Sequence, residues 1–129
     1  MADAALKKKR PVYIDLARIR LPLPGFVSIL HRISGILLFL LAFWLLSLLD
    51  RSLGSPEGYA QVRELIAQPF AKLVLLAAGW AFLHHFCAGI RYLLIDMHVG
   101  VDLPTARATS WAVLAVSLFL TVLLGAWLW

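Results

Sequence analysis

Three long stretches without a charged residue divide this chain: one between Arg32 and Asp50, one between Lys72 and Arg91, and one from Ala108 to Trp129. Each approaches the roughly 17–25 residues that an α-helix needs to cross the hydrocarbon core of a bilayer. Inside lipid the backbone must satisfy its own hydrogen bonds, which leaves only helices or a closed barrel. The stretches do not alternate apolar and polar residues as barrel strands do. An all-α integral membrane protein is therefore predicted, with three transmembrane helices over about 29–50, 69–94 and 107–129.

Composition agrees. Of 129 residues, 62% are hydrophobic and 15% charged, against roughly a quarter charged in a soluble domain. A soluble domain this small has too much surface for its volume to hide so much apolar area. One membrane domain is expected over residues 28–129, preceded by an arm over 1–27. The net charge of +5 does not imply nucleic acid, because the basic residues crowd beside the first span, where orientation and contact with membrane lipid account for them. The start Lys7-Lys-Lys-Arg10 leads into Pro11 and a mixed polar stretch, so no signal peptide is expected. The single cysteine, Cys87, reads as a small packing residue.

Basic residues set the expected orientation. Nine of them (Lys7, Lys8, Lys9, Arg10, Arg18, Arg20, Arg32, Arg91 and Arg107) belong to the N-terminal side and the second connection; three (Arg51, Arg63 and Lys72) belong to the first connection. This asymmetry puts the N-terminal arm in the cytoplasm and the C-terminus in the periplasm. Trp111, Trp127 and Trp129 suit anchoring at the two ends of the last span. In the first connection, Gly54-Ser-Pro-Glu-Gly58 marks a turn, and the segment from Tyr59 to Gln68 reads as a short interfacial helix.

Ionisable groups in spans are costly and each needs a reason. His84 and His85 lie inside the second stretch, and a neutral imidazole there can bind a metal or haem iron. Adjacent helical positions differ by about 100°, so the two cannot face one ligand. The residues alone do not choose between them, and both can equally hydrogen-bond to neighbouring helices. Gly89, four residues after His85, leaves room on that face for a flat group or a close helix. His31 and Arg32 open the first span, where a basic residue commonly snorkels to the headgroups. Ser28 shares a helical face with Arg32. Together they can hold a carbonyl compound, while Ser28 can equally cap the helix. Asp96, beyond Arg91 and Tyr92, can pair with Arg91, meet a partner subunit, relay protons or simply be solvated.

The segments Arg10-Pro-Val-Tyr-Ile-Asp-Leu16, Ser28-Ile-Leu-His-Arg-Ile-Ser-Gly35 and His85-Phe-Cys-Ala-Gly-Ile-Arg-Tyr-Leu-Leu-Ile-Asp96 resemble the signatures of the cytochrome b anchor subunit of succinate dehydrogenase. The motifs come in that family's order and span nearly the whole chain. The resemblance implies a heteromeric anchor bundle in a bacterial inner membrane, with haem b shared with a second small anchor subunit. It implies ubiquinone as the electron acceptor, and iron–sulfur and flavoprotein subunits docked on the membrane face. It makes His85 the axial haem ligand, puts His31 and Arg32 near the propionates, and assigns Ser28 and Arg32 to the quinone, with Gly89, Tyr92 and Asp96 as possible supporting residues. Tyr92 stands where some relatives carry a further histidine. No Cys-x-x-Cys-His sequence is present, so the haem implied is b-type. With no nucleotide-binding glycine motif and no cysteine cluster, the chain is not itself the dehydrogenase. The competing readings are a fumarate reductase anchor and a structural or assembly subunit without cofactor. A transporter lacks support, since the spans show no paired Gly/Pro breaks.

Overall fold

The computed structural model describes residues 20–129, which form α1 (Leu23–Gly54), α2 (Pro56–Ala67), α3 (Pro69–Asp96) and α4 (Leu103–Leu128). The basic run from Lys7 to Arg10, Arg18 and the segment from Arg10 to Leu16 lie outside the described residues. α1, α3 and α4 are long and apolar enough to cross a membrane, as expected.

The first long helix begins before the expected span. α1 starts at Leu23, inside the expected arm, and its 32 residues outreach the predicted span at both ends. Pro24 sits in the first turn, where its fixed φ favours a helix and its missing N–H is no loss. Val27, completely buried, ties this early turn to Ala88 and Val113. Arg32 does not interrupt the helix because it lies on an exposed face. Ser28 is consequently several residues inside α1 and does not cap it; the N-cap is Pro22, without a side-chain bond.

The connections follow standard chemistry. Ser55 caps α2, accepting from the Gly58 N–H at 3.0 Å, and Pro56 opens the helix. Between α3 and α4 the chain turns through His98 and Gly100, with φ of 61° and 72°. Asp102 then caps α4 by accepting from the Thr105 N–H at 3.0 Å. Lys72 joins α3 to the far end of α4: its Nζ donates to the Leu128 carbonyl at 2.9 Å and lies 5.3 Å from the Trp129 ring centroid.

Small residues line the contacts among the spans. Ala71, Ala78, Ala81 and Ala88 form the seam of α3, and Ser110, Val113, Ser117 and Thr121 that of α4. Lipid gives helices little hydrophobic reason to associate, so close backbone approach and van der Waals contact must hold them. The buried serine and threonine hydroxyls return to their own helix: Ser110 donates to Ala106 O at 2.7 Å and Thr121 to Ser117 O at 2.7 Å. These hydroxyls are thereby satisfied without a partner in lipid. Large apolar side chains such as Phe39, Phe43, Phe82 and Phe119 point outward.

Candidate functional site

The two histidines part company within α3. His84 is completely buried inside the bundle and stacks on Trp80, centroids 5.4 Å apart; neither of its nitrogens has a hydrogen-bond partner among the described residues. His85, one position and about 100° further on, faces α1 and lines a groove with His31, Arg32, Gly35, Ile36, Phe39 and Leu40.

Three contacts hold the His85 ring. Its Nδ1 lies 3.0 Å from the His31 carbonyl oxygen and 3.2 Å from Ser34 Oγ. The Ser34 hydroxyl itself donates to the same carbonyl at 2.9 Å. A carbonyl only accepts, so this geometry assigns the His85 proton to Nδ1 and leaves the lone pair on Nε2. The His31 ring stacks on His85, with centroids 4.1 Å apart and planes 16° from parallel. Gly35 makes the approach possible: a Cβ there would stand 2.9 Å from His85 Cε1. A backbone carbonyl that fixes one ring nitrogen while the other keeps its lone pair is the arrangement metal-binding histidines use.

This groove fits a flat iron porphyrin. It offers one oriented imidazole, an apolar wall of Ile36, Phe39 and Leu40, and the basic Arg32 with His31 for carboxylates. The groove is open on one side among the described residues. Among the described residues no cluster of three His, Cys, Asp or Glu side chains could hold a bare metal ion.

The other expected residues divide. Arg32 lines the groove, and Ser28, half-buried one helical turn earlier, does not. Gly89 faces His31, whose Nε2 would lie 3.8 Å from an added Cβ, so its space serves a close helix neighbour. Tyr92 tilts against His31 with centroids 5.2 Å apart, and its hydroxyl is buried without a partner among the described residues. Asp96 is exposed at the end of α3. Arg91 spends its donors on α4 instead of on Asp96, with Nε donating to Thr109 Oγ1 at 3.0 Å and Nη2 to the Ala106 carbonyl at 3.3 Å.

Sequence reasoning passed over Ser34 and Gly35 as site residues. The signal was available: they follow His31 by three and four positions, which puts them on its helical face.

Comparison with known proteins adds an independent line. The family described as succinate dehydrogenase/fumarate reductase transmembrane subunit matches residues 7–124. A Coxiella burnetii protein named succinate dehydrogenase cytochrome b556 subunit is 35% identical over 96% of this chain and 100% of its own. Proteins of the same name from Rickettsia felis and Paracoccus denitrificans are 35% and 32% identical, over 90% and 95% of this chain and 90% and 94% of theirs.

Proposed function

Because the chain belongs to the succinate dehydrogenase/fumarate reductase transmembrane subunit family, we propose that it is the haem- and quinone-binding cytochrome b anchor of a succinate:quinone oxidoreductase. His85 would be this chain's ligand to the haem iron. The observation that carries this is its Nδ1–H bond to the His31 carbonyl, which orients Nε2 as a donor to iron. Arg32 and His31 would hold the haem carboxylates. When bound, haem b supplies one-electron redox chemistry. His84, enclosed and turned away from the groove, is a packing residue.

Ser28 and Arg32 share one face of α1 and bind the quinone head group. The hydroxyl donates to one carbonyl, and the guanidinium stabilises the negative charge that develops as ubiquinone is reduced. A second small anchor would cover the open groove and complete the haem site. Together the anchors dock the iron–sulfur and flavoprotein subunits on the cytoplasmic face of the bacterial inner membrane, with this chain's N-terminal arm inside. The shared name of the relatives favours succinate oxidation over fumarate reduction.

Exchange of each histidine in the assembled complex tests the reading. His85→Leu should abolish or alter the low-spin b-type spectrum. His84→Leu should leave ligation intact, and at little cost in stability, because it removes a buried polar ring whose nitrogens lack partners among the described residues. An unchanged low-spin spectrum in His85→Leu sinks the assignment.

A further inference from the structure

Arg91 is a cation inside a membrane helix, 5% exposed and five positions before the end of α3. Among the described residues its bonds run to a hydroxyl and a backbone carbonyl, both neutral. A buried guanidinium with only neutral partners keeps an uncompensated charge, and in a low-dielectric setting that charge attracts an anion. Arg91 lines a cleft of about 230 Å³ between α3 and α4, with Leu94, Val99 and Thr105 among its neighbours. A second depression shares Cys87, Ile90, Ala112 and Val113 with this cleft and continues to Val116. From Thr109, which holds Arg91, Val116 lies about 10 Å deeper along α4. The groove thus has a cationic mouth near the helix ends and an apolar trough leading toward the middle of the span.

That order of polarity is a phospholipid's own. We propose that the α3–α4 groove seats one anionic phospholipid, with its phosphodiester on Arg91 and an acyl chain along Cys87, Ile90, Val113 and Val116. Basic pockets between membrane helices recognise anionic headgroups in this way. The groove lies between α3 and α4, apart from the α1–α3 groove that holds His85, and the proposal rests only on the chain spanning a bilayer. A zwitterionic lipid fits less well, because its ammonium group brings positive charge toward the guanidinium.

The test uses the complete purified complex, delipidated and then supplied with phosphatidylglycerol or phosphatidylcholine, with retained lipid counted by native mass spectrometry. The unaltered complex should retain phosphatidylglycerol in preference to phosphatidylcholine. Arg91→Gln should cut that retention about fivefold, and Arg91→Lys should restore most of it. Arg91→Gln also removes bonds to α4, so Ala112→Phe serves as the second variant. It fills the trough from an exposed position and leaves the Arg91 bonds alone, and it should lose the lipid as well. Equal retention of the two lipids, undiminished retention in Ala112→Phe, or recovery of a quinone in place of lipid overturns the proposal.

Discussion

Replacing Gly35 by alanine should disturb haem ligation while leaving the stability of the chain nearly unchanged. The added Cβ would stand 2.9 Å from His85 Cε1 and 3.4 Å from Nδ1. The ring must withdraw by about 0.5 Å to reach ordinary contact at 3.4 Å, and a functional constellation tolerates about 0.5 Å of displacement. It cannot withdraw freely, because Nδ1 is bonded to the His31 carbonyl and one ring face lies on His31. Breaking the hydrogen bond costs about 0.5–1.5 kcal/mol. Alanine in place of glycine inside a helix returns about 1 kcal/mol. The two effects nearly cancel in stability, whereas nothing offsets the loss of ligand geometry. The assay is the reduced and oxidised haem spectrum of the assembled Gly35→Ala complex, read beside its thermal unfolding. Gly25→Ala is the control, since its Cβ would meet Pro22 at 3.6 Å and Leu21 at 3.8 Å, both ordinary contacts. A Gly35→Ala complex with an unaltered low-spin spectrum and haem potential would refute the reasoning, because the His85 ring would then not be held where the structure has it.

Ser28→Ala should slow succinate–quinone turnover by about two- to tenfold, the worth of one neutral hydrogen bond at about 0.5–1.5 kcal/mol. Arg32→Leu should slow it further, while succinate oxidation by a soluble dye persists in both; normal quinone turnover in both variants would move the quinone elsewhere. A reporter active only in the cytoplasm should stay silent when fused after Trp129, and activity there would invert the proposed orientation. The Asp102 carboxyl is held below its ordinary value of 3.8, chiefly by accepting the Thr105 N–H. A lowered folded pKa means the cap stabilises α4 above the ordinary value and is lost as pH falls through the lowered one. Hydrogen exchange at the Thr105 amide should therefore lose protection only on strong acidification, once the intrinsic pH dependence is removed, and a loss near neutral pH would contradict it.

The uncharged stretches were sufficient to establish three membrane helices, because lipid permits few other backbones and the required length is set by bilayer thickness. Charge was a poorer guide to where those helices end. Arg32 and Arg91 bound uncharged stretches, yet both lie inside helices, as the expected spans over about 29–50 and 69–94 had them, one on an exposed face and the other bonded to α4. Sequence order also brought His31, Arg32, Ser34 and Gly35 onto adjoining turns of one helix. It could not say which of two neighbouring histidines α3 turns toward them, since local spacing separates the pair by about 100° without fixing the helix's rotation. Packing fixes that rotation. The seam of Ala78, Ala81 and Ala88 settles against its neighbours, carrying His84 into the bundle and His85 onto α1. The His31 carbonyl that orients His85 comes from a different helix, 54 positions away in the chain, and only the tertiary structure brings the two together.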